Sequence, residues 1–312
     1  MLPSILIFLL SLGVLVIASR WVIAASIKIA EYFKIAELAL GFLLIAFATS
    51  FPDFIVSTTA SYEGMGGIAL GDVLGSSIAN ICLVLGAAAL IRTIHIKREQ
   101  TLESAELLLL ITLIPLILLT REEIGRPEGL ILIIVFLFYA LFAIKEKFTM
   151  GLKEGVTKKE WSRAVVMFVI GIALTLVSAH FIIGSASDMA RILGVSEALI
   201  GMTIVAFGTT LPELAIDFTA IRTGHSALAI GDIFGSCVIN LTLVLGAAAL
   251  INPLSNGVMV FTTAITFLVG VNIFLWYILM KHEGITKRYG LMLLLAYIIF
   301  IEVETIWAFN AG

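Results

Sequence analysis

Hydrophobic residues run along this chain in long segments, and polar residues are confined to short connections between them. An α-helix needs about 20 apolar residues to cross a bilayer. The pattern therefore predicts ten transmembrane helices, with the longest polar stretch, 145–163, between the fifth and the sixth. The predicted spans are 3–32, 36–62, 67–91, 104–120, 127–144, 164–192, 196–222, 227–251, 257–280 and 288–309.

The composition is that of a polytopic membrane protein. Hydrophobic residues make up 61% of the chain and charged residues 13%, whereas soluble domains are about a quarter charged. The net charge of −3 is small and gives no support for a nucleic acid partner. The lipid bilayer is the expected surrounding, and neither a resident cofactor nor an obligatory protein partner is expected.

Lysine and arginine are distributed unequally between alternate connections, which predicts the orientation of the chain. Only Arg121, Arg126 and Arg191 fall in one set of connections, whereas the other set holds many more, including those of 145–163. Because the positively charged set lies inside, 145–163 is predicted to be a cytoplasmic linker, with both termini outside the cell membrane. The linker separates two five-helix halves, 1–144 and 164–312, and an odd span count inverts the second half relative to the first.

The two halves contain an internal duplication. Residues 41–91 align without a gap on residues 201–251, at a constant shift of 160, with about 23 of 51 positions identical. Inverted duplications are typical of secondary transporters that bind their substrate near the bilayer midplane on broken helices. The sequence therefore predicts an all-α membrane fold of ten helices in two inverted five-helix repeats.

Each repeat has a proline followed by an acidic residue, in ATSFPD (48–53) and in GTTLPE (208–213). Proline breaks a helix and frees backbone carbonyls one turn upstream, and an acid inside a span is functional by default. The repeat symmetry is expected to bring Asp53 and Glu213 together near the midplane. The carbonyl ligands predicted in this way are those of Ala46, Thr49, Ala206 and Thr209.

Other oxygen-bearing side chains lie at matched positions of the two repeats. Oxygen ligands without histidine or thiolate suit hard cations such as calcium and sodium. Two facing carboxylates repel each other, so cations or protons must compensate them, and this is a basis for competition between ions. The hydroxyl and amide candidates are Thr49, Ser50, Thr209, Thr210, Ser76, Ser236, Asn80 and Asn240.

At these residues the chain resembles a known family. TSFPD with GSSIAN, and GTTLPE with GSCVIN, are similar to the two α-repeats of the sodium/calcium exchanger family, prokaryotic type, within the cation/calcium antiporter superfamily. The resemblance implies calcium/sodium exchange by alternating access, with calcium held by both acids and the carbonyls of Thr49 and Thr209. It implies that sodium shares the acids and uses Ser50, Ser76, Thr210, Ser236 and the carbonyls of Ala46 and Ala206.

Several residues depart from the family pattern. The first repeat acid is Asp53, where glutamate is usual, and Asn240 stands where a further acid is common. Asp217 is an additional acid one helical turn after Glu213, and two interpretations stay open: it replaces the missing charge, or it is a polar residue near the cytoplasmic mouth. The same holds for Asp72 and Asp232, which either line an access path or serve helix packing. Arg20 and His180 lie well inside spans one and six, where the family would place an acid.

Other functions compete with sodium-driven calcium exchange. Proton or potassium coupling on the same fold is the first alternative, although proton-coupled relatives carry a GNxxE-type motif in place of TSFPD. An intramembrane aspartyl protease needs a GxGD motif, in which Ala69 and Ala229 replace the first glycine. A passive cation channel is usually assembled from several subunits around an axis. The favoured function is therefore transport by an antiporter, not an enzyme reaction.

Overall fold

The computed structural model describes residues 2–33, 37–64, 66–95, 105–106, 108–114, 124–147, 157–192, 210–254, 262–282 and 284–310. These residues are mostly helical, as predicted. The helices are α1 (Leu2–Phe33), α2 (Glu37–Leu40), α3 (Ala46–Thr49), α4 (Phe51–Tyr62), α5 (Gly66–Ile78), α6 (Leu85–Ile91), α7 (Arg126–Lys147), α8 (Lys158–Ile192), α9 (Leu211–Thr223), α10 (Ser226–Ile239), α11 (Leu245–Ile251), α12 (Thr262–Lys281) and α13 (Lys287–Asn310).

Within the described residues, three π-helical segments join neighbouring α-helices without interrupting the helical path. They are π1 (Gly41–Ile45), π2 (Ala79–Val84) and π3 (Asn240–Val244). Segments π2 and π3 occupy matching places in the two sequence repeats, since 80 and 240 differ by the shift of 160. Single π-helical turns inside α-helices are frequent at functional sites.

Five described helices are long and apolar enough to cross a membrane, and a broken pair raises this number to six. They expose large apolar side chains, for example Leu10, which is 70% exposed, and Val169, which is 60% exposed. The apolar helices are Pro3–Phe33, Ala69–Ile91, Lys158–Ser178, Ser226–Ile251 and Thr262–Lys281, and the broken pair is Gly41–Thr49 with Phe51–Tyr62.

Helices α7 and α8 both extend into the polar stretch 145–163. At the start of α8 the Thr157 N–H donates to Glu160 Oε2 at 2.8 Å, and the Glu160 N–H donates to Thr157 Oγ1 at 3.3 Å. This reciprocal pair is a capping box, which satisfies two backbone or side-chain donors at a helix N-terminus. Lysine and glutamate favour helices, so the helix begins before the apolar segment predicted from residue 164.

The prediction of an all-α fold misses one small sheet. Ile94 and His95 form β1 and pair antiparallel with Gly284 and Ile285 of β2. The two strands lie in short connections between helices, and a strand of two residues has no alternating pattern from which it can be predicted.

The described chain forms two compact units, and each contains a segment from each half of the sequence. The first unit is Met1–Pro52 with Ala143–Asp232, and the second is Asp53–Phe142 with Ile233–Gly312. In the first unit, α1 packs along α8, where a Cβ on Gly171 would lie only 2.9 Å from Val22 Cγ2. Glycine therefore permits the close approach of these two helices.

In the second unit, several contacts have a counterpart in which the equivalent residues of the two halves have changed places. Gly86 packs against Gly290, where a Cβ on Gly86 would be 3.1 Å from the partner carbonyl oxygen, and Gly129 packs in the same way against Gly246, at 2.7 Å. Since 246 − 86 = 160 and 290 − 129 = 161, one contact is the counterpart of the other. The strand pair Ile94 with Ile285 and the bridge Ile124 with Leu254 are related by the same shifts.

Residues that correspond to each other in the two halves also meet directly in the second unit. Asn272 Nδ2 donates to Thr112 Oγ1 at 3.2 Å, and Cys237 Sγ donates to the Ser77 carbonyl at 3.6 Å. Both pairs are separated by 160 residues. Contacts between equivalent residues are those expected close to a two-fold axis, so the sequence duplication is also a duplication of packing within this unit.

Candidate ion-binding site

The helical path bends before the acid of the first repeat. Ser50, between α3 and α4, has φ −77° and ψ 3°, and the segments Gly41–Thr49 and Phe51–Tyr62 are bent by 51° relative to each other. Its counterpart Thr210, with φ −87° and ψ −4°, directly precedes α9, and the residues before it lie outside the described residues. In both repeats a proline follows two residues later, where it removes one backbone donor. The predicted break is therefore confirmed in the first repeat and stays a prediction in the second.

The hydroxyl of Thr49 is directed into the packed interior of the first unit. It bonds to the carbonyls of Ile45 and Ala46, at 3.1 and 3.3 Å, and lies 3.2 Å from Asp232 Oδ1. The Ala46 carbonyl also accepts the Ser50 N–H at 3.0 Å. A carbonyl has two lone pairs, so both acceptor positions of Ala46 serve the helix end in this conformation.

Asp53, the acid of the first repeat, belongs to the second unit and is 1% exposed. Ser76 Oγ donates to its Oδ1 at 3.3 Å, and Asn240 Nδ2 donates to its Oδ2 at 2.9 Å. Ser76 lies on α5 and Asn240 is the first residue of π3. The structure thus brings together three residues of the predicted set, one of them from the other repeat.

The amide side chains of this unit keep acceptor capacity. Both polar atoms of the Asn80 side chain and Oδ1 of Asn240 are buried and make no hydrogen bond with a described residue. Buried polar atoms are satisfied in the great majority of native structures. Unsatisfied amide oxygens close to the start of π2 and of π3 are consistent with an additional ligand such as a cation. Ser236, the counterpart of Ser76, is also fully buried.

Glu213, the acid of the second repeat, belongs to the first unit and is 1% exposed. It lies in the first turn of α9, and Asp217 follows one turn later, completely buried. The carboxyl of Asp217 is near enough to those of Asp232 and Glu213 for their charges to interact. Three buried acids are therefore neighbours in this unit, and of these Asp232 was not a predicted ligand.

The position of Asp232 depends on a close approach between π1 and α10. A Cβ on Gly41 would overlap the carbonyl oxygen of Leu228 and lie 2.9 Å from the Asp232 backbone nitrogen. Only glycine leaves this space, and the approach places Thr49, two turns further along, beside Asp232. The acid at IGD was noticed in the sequence, but its contact with Thr49 depends on this packing and not on any spacing in the chain.

The same positions of the two repeats carry different chemistry. In the first repeat Ser57 Oγ donates to Asp72 Oδ2 at 2.7 Å. The counterparts at a shift of 160 are Asp217 and Asp232, which are both acids. A hydroxyl can donate to a carboxylate, but two carboxyls can share a hydrogen bond only if one of them holds a proton. The second repeat therefore has two neighbouring acids, which a proton or a cation would stabilise, where the first repeat has a hydrogen bond from a hydroxyl to a carboxylate.

Carboxylates alone do not make up the site. Among the residues that the structure describes, no group of three or more His, Cys, Asp or Glu side chains is arranged to hold a metal ion. A transported cation would therefore need hydroxyl, amide or carbonyl oxygens as well, which is the mixed oxygen set that calcium and sodium accept. Ser50 Oγ, buried and without a described hydrogen-bond partner, and Thr210, which is 2% exposed, are further oxygens of this kind.

The structure does not place every residue that was predicted for the site. Ala206 and Thr209 lie outside the described residues. The joint use of Asp53 and Glu213 by one ion stays a prediction. Arg20 and His180 are exposed on α1 and α8, respectively, and His180 packs edge-to-face on Phe181.

Comparison with known proteins was made by sequence and by structure. The family described as "Sodium/calcium exchanger protein" matches residues 3–145 and again 163–305. The chain is 35% identical to the putative antiporter CaxA of Alkalimonas amylolytica over 76% of either protein. It is 25% identical to the sodium/calcium exchanger MaX1 of Methanosarcina acetivorans, over 96% of the chain and 97% of that protein.

A solved structure is similar over nearly the whole chain. It is the sodium-calcium exchanger NCX_Mj soaked with 10 mM Na+ and zero Ca2+, which is 28% identical and has a TM-score of 0.87. The match covers 96% of this chain and 98% of that structure. These relatives are transporters and not enzymes. With two matches to the family in one chain, each containing a proline followed by a buried acid, the protein belongs to the sodium/calcium exchanger family.

Proposed function

We propose that this protein is a secondary active antiporter that exchanges Ca²⁺ for Na⁺ across the cell membrane. The observation that carries this proposal is the repetition of one unusual local structure. In each repeat a turn residue, Ser50 or Thr210, is followed three residues later by a buried acid, Asp53 or Glu213. An interrupted helix at such a turn supplies carbonyl oxygens and a carboxylate in an environment without water, where they favour cations.

Asp53 and Glu213 bind the transported ions in this proposal. Calcium takes both acids together with the carbonyls of Thr49 and Thr209, and sodium takes the same acids with the neighbouring oxygens. The support for a shared ligand set is that the hydrogen bonds to Asp53 come from the neutral groups of Ser76 and Asn240. Neutral donors orient a carboxylate but do not cancel its charge. The oxygens for sodium are those of Ser50, Ser76, Thr210 and Ser236 and the carbonyls of Ala46 and Ala206, and the amides of Asn80 and Asn240 complete the oxygen set.

Charge compensation couples the two ions. A buried carboxylate without a counter-ion is costly in a low-dielectric surrounding, so states that carry either calcium or sodium change conformation more easily than the empty state. Transport then follows alternating access, in which each side of the membrane can reach the ligands in turn. The names of MaX1 and NCX_Mj, which are sodium/calcium exchangers, support the choice of these two ions.

The architecture that we propose is ten transmembrane helices in two inverted five-helix repeats, with both termini extracellular and 145–163 cytoplasmic. The exchanged glycine contacts, Gly86 with Gly290 and Gly129 with Gly246, support the internal symmetry. Two family matches of similar length, on either side of residues 146–162, support the division into halves.

Coupling to protons or potassium is the second candidate function. The proximity of the two buried acids Asp217 and Asp232 favours it, because a proton or a cation would relieve the repulsion between them. The counterpart pair in the first repeat, Ser57 and Asp72, forms a hydrogen bond instead. In the leading proposal Asp217 instead contributes to the calcium and sodium site and supplies charge that Asn240 lacks.

Uptake of radiolabelled calcium into proteoliposomes tests the function. Vesicles are loaded with sodium, with potassium, or with a buffer that imposes a pH gradient. Uptake that needs internal sodium, and that stops when an ionophore dissipates the sodium gradient, is the expected result. Uptake that follows the pH gradient would establish the second candidate, and uptake under none of the gradients would contradict both.

A further inference from the structure

A groove on the first unit lies between α1 and α9 and has a volume of about 690 Å³. This size is within the range of pockets that bind small molecules. Ser19 on α1 and Thr219 on α9 meet inside it, with their hydroxyl oxygens 2.9 Å apart. None of the predicted ion ligands that the structure describes lines this groove, so it is distinct from the described part of the candidate ion-binding site.

The lining changes in character along both helices. On α1, the apolar Leu15 and Val16 come before Arg20, and on α9, the apolar Leu214 and Phe218 come before Arg222. Spans one and seven have the same direction in the predicted topology because both are odd-numbered. With the helices parallel and joined at Ser19 and Thr219, the groove has an apolar end and a cationic end.

The cationic end offers hydrogen-bond donors that the described residues do not use. Arg20 and Arg222 are both exposed and form no ion pair with any described residue, and no acid lines the groove. The hydroxyls beside them are engaged, since Thr219 donates to the Ala215 carbonyl at 2.7 Å and Thr223 to the Thr219 carbonyl at 2.8 Å. Each guanidinium has five N–H donors in a planar arrangement that matches phosphate oxygens.

We propose that this groove binds an anionic phospholipid, with the phosphate at Arg20 and Arg222 and an acyl chain against the apolar end. A charged arginine inside an apolar helix is costly unless it reaches an anion or water. Cationic pockets between membrane helices are suited to anionic lipid headgroups. Phe218 and Val16, which are 38% and 43% exposed, supply the apolar surface for the chain. The headgroup of a zwitterionic lipid also carries a positive charge, which the two arginines would repel, so such a lipid would bind less tightly.

The bound lipid would contact a helix that is central to transport. Helix α9 exposes Phe218 and Arg222 to the groove and carries Glu213 and Asp217 among its buried residues. A lipid bound between α1 and α9 therefore stabilises the conformation in which the distance between these two helices leaves room for it. The lipid site itself rests on the groove and its arginines and does not require that the transported ions are calcium and sodium.

Native mass spectrometry of the whole protein in detergent tests the lipid site. Delipidated protein is titrated with phosphatidylglycerol or with phosphatidylcholine of the same acyl chains. We expect one phosphatidylglycerol to bind more tightly than any phosphatidylcholine. An arginine near a lipid headgroup contributes about 1 kcal/mol, so R20Q/R222Q is expected to weaken this binding about 25-fold. The control R92Q/R288Q, which removes two exposed arginines elsewhere, is expected to bind as the unchanged protein does.

Three results would overturn the proposal. They are equal binding of the two lipids, unchanged binding in R20Q/R222Q, and displacement of the lipid by millimolar inorganic phosphate, which would indicate a site for a free anion. If the double variant is not monodisperse, the comparison is made with R20K/R222K. This variant keeps the charge but loses the planar fork, and an affinity equal to that of the unchanged protein would equally contradict phosphate recognition by the two guanidiniums.

Discussion

The two repeats satisfy their buried acids in different ways. In the first, Asp53 accepts hydrogen bonds from Ser76 and Asn240, and Asp72 accepts one from Ser57. In the second, Asp217 takes the place of that serine and meets Asp232, with Glu213 nearby. Equivalent positions thus carry a hydrogen bond from serine to aspartate in the first repeat and two neighbouring buried acids in the second. Duplicated segments can therefore keep their geometry and still divide the tasks of positioning a ligand and balancing its charge.

The largest expected effect comes from removing either repeat acid. Asp53→Asn and Glu213→Gln keep the size of the side chain and remove its charge, so calcium uptake is expected to fall to background, about 100-fold or more. Glu63→Gln, at an exposed turn after α4, is the matched control and is expected to transport normally. Near-normal exchange in either acid variant would refute the assignment of that residue to the ion site.

Asn240→Asp would make the surroundings of Asp53 similar to the acid-rich second repeat. The change removes the 2.9 Å donor to Asp53 and places a like charge beside it. We expect the protein without calcium to unfold at a lower temperature, and the stabilisation by added calcium to become larger by roughly 1–2 kcal/mol. Thermal unfolding with and without calcium measures both quantities. A calcium effect equal to that in the unchanged protein would mean that position 240 does not sense the bound ion.

Asp217→Ser would convert the second repeat to the chemistry of the first. A serine here is expected to donate to Asp232, as Ser57 donates to Asp72 at 2.7 Å. Calcium affinity is expected to fall about tenfold, less than for the repeat acids, while the ion-free protein gains about 1 kcal/mol of unfolding free energy. Isothermal titration and thermal unfolding measure the two effects. Unchanged calcium affinity would show that Asp217 has a structural role only.

The smallest expected effect is that of Ser76→Ala. The change removes the hydrogen bond of 3.3 Å that the Ser76 hydroxyl donates to Asp53. This bond contributes about 1 kcal/mol, so a roughly fivefold loss of calcium affinity is expected. Ser77→Ala is a control on the next residue, because Ser77 Oγ donates to the Val73 carbonyl and not to an acid. Equal losses in the two variants would indicate a general effect on α5 and not a role in orienting Asp53.

Most of the helices could be predicted from the length of the apolar segments. The prolines and the 160-residue shift predict the turns at Ser50 and Thr210 and the burial of Asp53 and Glu213. These features depend on neighbours in the chain or on a repeat visible in it. The contact of Asn240 with Asp53 joins two repeats through a side-chain amide, and no local pattern encodes that pairing.

Asp232 shows why part of the site was missed. Its sequence context is the same as that of Asp72, so the two acids look equivalent in the chain. Their difference arises from the partner position, where Ser57 is replaced by Asp217, and from Gly41, which lets Thr49 approach. The small sheet formed by Ile94 and Ile285 was likewise invisible, because two residues carry no periodic signal.

The π-helical segments also bear on the history of the chain. A π-helical turn closes with one residue more than an α-helical turn, and π2 and π3 carry that extra residue at matching places, just at Asn80 and Asn240. The two repeats align there without a gap. One insertion before the duplication therefore accounts for both π-helical turns, whereas an origin after the duplication would require the same insertion twice at the same place.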